Sequence, residues 1–234
     1  MTSKVLWGEG LLLRPQHFQR QDQYHEHCLQ KGIKAVHPYA WGVERLQVDR
    51  EALANNVLRI LDLALRFQDG ELVDAPNLDA LPDTVDLSLL QQSQQTVTYY
   101  AALPGLKPFN GNFAPQGQAA NTARFTQVNQ ETADLFTHAA PVQLAYLKKS
   151  VRLVSETDPR DAYVHFPLLR LRRAAAGGFE IDPAFVPPSL SIGAAAPLFQ
   201  QLRRLLDALQ AKVSALYGHH REPSRNVIEF RSGD

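Results

Sequence analysis

His25, Glu26, His27 and Cys28 are the residues whose types come closest to a metal site in this chain, and their spacing argues against one. The run around them is helical in pattern, where side chains one or two positions apart point to different sides and ligand pairs sit three or four apart. A structural reading of all four follows, with Cys28 as a small buried apolar group in mid-helix. His219 and His220 fall near a predicted helix end, where the dipole favours them at the surface. His17 is the best single candidate for a special histidine, with a satisfied hydrogen bond beneath the sandwich expected ahead of chemistry. Trp7 and Trp41 could stack on a sugar, yet glycine and apolar residues flank each, so packing is expected.

Asp62, Asp69, Asp74 and Asp79 offer carboxylates for acid–base work, but they occupy turns and strand ends where aspartate is common for local reasons. The sequence holds no glycine-rich phosphate loop, no Gly-x-Ser-x-Gly elbow and no Cys-x-x-Cys pair. No catalytic residue, metal or cofactor is therefore expected. The clusters Arg170-Leu171-Arg172-Arg173 and Arg203-Arg204 read as solvated strand and helix faces, with pairing of Arg203 and Arg204 across an oligomer as the other option. Lysine plus arginine equals aspartate plus glutamate at 24 each, so no global field draws the chain to nucleic acid or an anionic membrane. The short apolar patch after Lys4 is interrupted by Glu9, too soon for a signal peptide, and no apolar run has the length of a membrane span. A cytoplasmic protein with neither bound nucleic acid nor membrane insertion is expected, and a single cysteine fits a reducing compartment.

The elements that must carry these residues begin with Val5 to Tyr24. Proline at 15 opens a helix, since its φ is already helical and its missing N–H has no partner in a first turn. From Pro15 to about Lys31 the apolar face is thin, so Trp7, Leu11 and Leu13 are expected to pin the helix onto a larger body. Strand-like alternation follows at 40–49, 57–67 and 71–74, with a turn-like or single-helical-turn insert over 50–56 and Asp69-Gly70 as a hairpin signal. Further strands are predicted at 84–90, 96–103, 124–135, 142–154, 162–173 and 179–182. The stretch from Leu103 to Ala120 is rich in proline and glycine, an excursion expected to be disordered or functional. Many short strands with turns between them, and no helices alternating, argue for a mainly β fold: an antiparallel β-sandwich carrying the N-terminal helix.

Val186-Pro187-Pro188-Ser189 marks a boundary, giving a sandwich unit over 1–188 and a helical unit over 189–234. From about Ala194 to Tyr217 the period turns helical. Leu198, Leu202, Leu205, Leu209 and Leu216 form one stripe and Phe199, Leu206 and Val213 a second beside it. Two adjacent stripes call for partners on more than one side. Gly218 is expected to end this helix and Ser224 to cap another, and the pattern breaks off there as it would in a piece of a longer protein.

The residues Trp7, Glu9, Gly10, Leu13, Pro15, Gln16, His17, Phe18, Gln19, Asp22 and Tyr24, in that order and spacing, closely resemble the N-terminal signature of the TssK family, baseplate subunits of bacterial type VI secretion systems. Asp182 to Pro188 and Pro167 to Leu171 resemble that family's stretches around the end of the sandwich. The resemblance implies a non-enzymatic trimeric adaptor. Its sandwich would be a shoulder similar to that of phage receptor-binding proteins, its final helix the start of a neck, and a head domain would be missing. It implies TssG and TssF as partners, the baseplate docked at the inner membrane, and contact with membrane-complex proteins only through the head. The signature residues would anchor shoulder to neck, and the leucine stripes would form the trimer interface. A carbohydrate-binding module on the same sandwich, with Phe109, Phe113 or Tyr99 around a pocket, is the competing reading.

Overall fold

The computed structural model describes residues 3–115, 117, 122–175 and 177–221, with the backbone alone over 218–221. Helix α1 (Pro15–Val36) opens the chain and is followed by β1 (Gly42–Val48), the short α2 (Arg50–Ala54), β2 (Val57–Leu58), β3 (Ile60–Arg66) and β4 (Leu72–Ala75). Next come β5 (Val85–Asp86), β6 (Thr96–Pro104), β7 (Phe113–Ala114), β8 (Phe125–Thr132), β9 (Val142–Lys149), β10 (Arg152–Ser155), β11 (Tyr163–Arg173) and β12 (Phe179–Ile181). A 3-10 turn (Ile192–Ala194) leads into α3 (Ala196–Arg221).

Two sheets make the body, ordered β1-β3-β4 and β10-β6-β11-β12, each antiparallel throughout. Their inner faces meet through Leu63, Leu65, Phe67, Leu103, Phe166, Leu169 and Leu171, all buried. Phe166 is central. Its ring lies edge-on to Phe67 with centroids 5.5 Å apart and takes Trp41 on another side at 5.8 Å. Trp41 thus packs, as its neighbours in sequence predict. A third sheet, β7-β8-β9, forms a ribbon in which β7 runs parallel to β8, and β2 pairs with β5 at the edge of the body.

Three bulges explain why apolar spacing in the strands departs from two. The register between β1 and β3 slips at Glu44 and again at Leu61, so Val43 and Leu46, and likewise Ile60 and Leu63, turn to the core although three residues separate each pair. A slip at Leu168 in β11 sits beside Pro167, where a missing N–H is tolerated, and buries both Leu168 and Leu169. The run 57–67 therefore makes two strands in two sheets, and 142–154 makes β9 and β10 in two sheets. Of 84–90 only Val85–Asp86 is a strand. Within 103–120, the part through Pro115 is tied by Lys107 N–H to Asn112 Oδ1 (2.7 Å) and Asn112 Nδ2–H to the Lys107 carbonyl (2.8 Å).

An ion network fastens the ribbon to the body. Arg124 is 3% exposed and its Nη2 donates to Asp69 (2.7 Å) and Glu71 (2.9 Å) on the turn joining β3 to β4, while Nη1 donates to the Pro104 carbonyl at 2.9 Å. Lys149 stands 3.7 Å from Glu71 and 3.6 Å from the buried Asp79. Gly70, between the two acids, has φ 96°, the left-handed region that this hairpin turn needs and that glycine enters without strain.

Candidate functional site: an exposed helix and the cleft at its root

The helix α3 leaves the body within its first turns. Ala195 is buried and Leu198 and Leu202 are half-buried, but Phe199 is 54% exposed and Leu209 50%, and Leu205, Leu206, Val213 and Leu216 are exposed as well. The two stripes read from the sequence are thus real and face water in a single chain. Covering such surface is worth roughly 25 cal/mol per Å² before ordering costs are subtracted. The helical backbone runs on through Gly218 to Arg221, so Gly218 does not end the helix as expected. Glycine costs only about 1 kcal/mol inside a helix, too little to stop it alone. Ser224 and the helix expected after it lie outside the described residues.

The signature residues occupy an extended arm and the first turns of α1. Gly10 has φ 78° and turns the chain, and Trp7 folds back to sit 6.2 Å from the His17 ring and 6.3 Å from Phe18. His17 is the satisfied histidine of the two options: its Nδ1 accepts from the Arg14 N–H at 3.0 Å, the N3-to-cap half of a capping box made by imidazole. Glu9, Gly10, Leu13, Pro15, Gln16, Gln19 and Asp22 are exposed, and Tyr24 is half-buried.

No residue of α1 is buried, so the larger body onto which Trp7, Leu11 and Leu13 are expected to pin the helix is not the sandwich of the same chain. All three are exposed, and so is Cys28, expected inside. The helix is held to the body by polar groups instead. Gln30 Nε2–H donates to the Gly70 carbonyl at 2.8 Å, and Arg66 Nη2 donates to Gln30 Oε1 at 2.9 Å. Lost hydration beside the same turn, then the carboxylates of Glu71 and Asp22, push the Glu26 carboxyl above its ordinary range, against the pull of Arg124 and Lys149.

The groups with catalytic types are spent on structure. Asp62 and Asp74 both pair with Arg45, Asp69 with Arg124, and Asp79 accepts from the Asp74 and Lys149 amides. Among the described residues no group of three or more metal-type side chains gathers. The arginines of β11 are engaged rather than freely solvated: Arg170 binds Asp182 and Arg172 binds Glu180, each at 2.7 Å, and Arg173 caps the carbonyls of Leu90, Gln91 and Gln94. Of the aromatics proposed around a sugar pocket, Phe109 and Phe113 are exposed but Tyr99 is buried in the core, where desolvation pushes its hydroxyl up to about 12.

Where α3 meets the sandwich there is a cleft of about 600 Å³. Its floor is Leu168, Leu169 and Ile181, one wall is Leu46 to Val48 of β1, and the other is Ala194 to Pro197. Asp182, at its edge, is held below the ordinary carboxylate range by the Ala184 N–H and by Arg170. Periodicity could not announce this cleft, because it arises where two sheet ends and the root of α3 converge. Among the described residues no helix is long and apolar enough to cross a membrane.

Comparisons with known proteins fit this geometry. The family model described as bacterial type VI secretion, VC_A0110, EvfL, ImpJ, VasE matches residues 17–234. The chain is 30% identical over 221 residues to the type VI secretion system baseplate component TssK1 of Pseudomonas aeruginosa, covering 93% of this chain and 49% of that protein, so it spans about half the length of this curated relative. A cryo-electron microscopy structure of a TssK-TssF-TssG baseplate subcomplex contains a chain with TM-score 0.86 and 30% identity over 93% of this chain and 72% of that one. A structure of the type VI baseplate complex gives TM-score 0.86 and 29% identity over 98% of this chain and 51% of that chain. With the family model matching residues 17–234 and related folds covering more than nine-tenths of it, the chain belongs to the TssK family of type VI secretion proteins.

Proposed function

We propose that this chain is a non-enzymatic structural adaptor of a type VI secretion baseplate, in which residues 1–188 form the shoulder and 189–234 the first part of the neck. Three copies associate through α3, with Leu202, Leu205, Leu209, Val213 and Leu216 buried between them. The cleft at the root of α3 then receives an extended segment of TssG, and TssF joins through TssG, on the cytoplasmic side of the inner membrane. The full subunit links this assembly to the membrane complex through its head. The single observation that carries the reading is a long helix whose two apolar stripes face water over most of its length. Supporting it, relatives of matching fold are found in a TssK-TssF-TssG baseplate subcomplex and in a type VI baseplate complex.

Co-expression with TssF and TssG followed by affinity purification tests the reading. A complex retaining all three proteins is expected, and its loss is expected when Leu202 and Leu209 are both changed to aspartate. A chain that stays apart from TssF and TssG while folded contradicts the adaptor role.

A further inference from the structure

The strand β1 is an edge: β3 pairs with one of its sides, and the other faces the cleft. At its start that outer side is already in use. The Val43 N–H donates to the Pro188 carbonyl and the Leu190 N–H donates to the Val43 carbonyl, both at 2.8 Å, so the stretch 188–190 adds to β1 as a short parallel strand. It then swings away into the 3-10 turn. The bulge at Glu44 resets the alternation, which puts the backbone groups of Leu46 and Val48 on the outer side, while the Asp49 N–H faces inward to the Arg59 carbonyl at 2.9 Å. Outside the sheet ladder, no hydrogen bond among the described residues uses the amide or carbonyl of Leu46 or Val48. An edge that ends a sheet with its polar groups open is a template for another strand.

The charges in the cleft narrow what that strand is. Asp182 is neutralised by Arg170, whereas Arg50, the first residue of α2 and lining the cleft, has no carboxylate partner among the described residues. Leu46, Val48, Leu168, Leu169 and Ile181 give the lining its apolar part, and Gln47 and Gln200 are its uncharged polar side chains. A slot with an apolar floor, and with one cation at one end that has no carboxylate partner among the described residues, complements a segment that is apolar at alternate positions and acidic at one end.

We infer that the outer edge of β1 is a strand-addition site, at which an extended segment of a protein partner pairs its backbone with Leu46 and Val48 and sets an acidic side chain against Arg50. The main-chain bonds supply affinity and the floor of the cleft selects side chains. The inference rests on reading the cleft as the seat of a partner, and the experiment separates the two. Amide hydrogen exchange is followed in the free chain and in its complex with TssF and TssG, alongside affinities of Val48→Pro, Arg50→Glu, Arg50→Lys and Ile181→Asp. Val48→Pro removes a donor that the chain's own sheet does not use.

The expected result is at least hundredfold slower exchange at Leu46 and Val48 on binding. At least tenfold weaker binding is expected for Val48→Pro at an unchanged melting temperature, with several-fold weakening for Arg50→Glu that Arg50→Lys does not reproduce. Should Val48→Pro fail to fold, the exchange data and the Arg50 pair decide alone. Unchanged exchange at both amides in a complex that Ile181→Asp still disrupts overturns strand addition and leaves the cleft as a seat. A complex indifferent to Ile181→Asp overturns both.

Discussion

Gln30 donates its side-chain hydrogen to the Gly70 carbonyl at 2.8 Å and thereby joins α1 to the turn between β3 and β4, 40 residues away in sequence. The same amide accepts from Arg66, so one polar side chain does for this helix what a buried apolar face does for most. A Cβ at Gly70 would fall on the Gln30 amide as well as strain a φ of 96°. Changing Gln30 to alanine removes two hydrogen bonds of about 0.5–1.5 kcal/mol each. Amide exchange over 15–36 should then rise roughly tenfold, the equivalent of about 1.4 kcal/mol. The melting temperature of the sandwich should barely move, since no residue of α1 belongs to the core. Unchanged exchange in α1 would show that another contact holds it.

Arg124 is the buried end of the network that ties the ribbon to that turn. Arg124→Met leaves Asp69 and Glu71 without their cation. Breaking a fully buried pair costs about 3–5 kcal/mol, and because both acids retain access to water the expected loss is about 2–3 kcal/mol. Urea unfolding measures it. A loss below about 0.5 kcal/mol would mean that the ribbon is fastened elsewhere.

Phe166 touches both Phe67 and Trp41 and is 1% exposed. Phe166→Ala should cost about 3–5 kcal/mol, through lost transfer energy and the cavity left between the two sheets. The indole of Trp41 reports this directly: its fluorescence should shift to the red as the pocket beside it opens to water.

Asp182 gives a pH dependence with a definite sign. The Ala184 N–H and Arg170 lower its folded pKa below the ordinary 3.8. The stability it contributes is therefore fully present above that value and is lost as pH falls through the lower folded one. Melting curves of the wild type and Asp182→Asn should differ near neutrality, begin to approach each other as pH falls past 3.8, and meet only below the lower folded value. A gap that persists there would assign the effect to packing.

Much of this architecture can be read from the chain. Strand positions, the hairpin at Asp69-Gly70, the helix opened by Pro15 and the stripes of α3 follow from local rules of period and turn chemistry. What escapes reading is non-local. Alternation cannot place the bulges at Glu44, Leu61 and Leu168, because a bulge is chosen by the partner strand and by what the core must receive. Cys28 resembles a buried thiol only on the premise that α1 packs by an apolar face, and Gln30 shows that it does not. Arg124, an unremarkable residue in a loop-to-strand passage, becomes the anchor of a network only when the acids at 69 and 71 are brought to it across the fold. The cleft belongs to the same class, assembled from three separated stretches.

The exposed stripes of α3 are proposed as the interface between copies. Light scattering coupled to size exclusion, run on the 26.1 kDa chain over a hundredfold range of concentration, measures this most directly. A mass approaching three chains at high concentration, falling to one chain when Leu202 and Leu209 are both aspartate, is the predicted result. A single-chain mass throughout, with the helix still formed by circular dichroism, would contradict it.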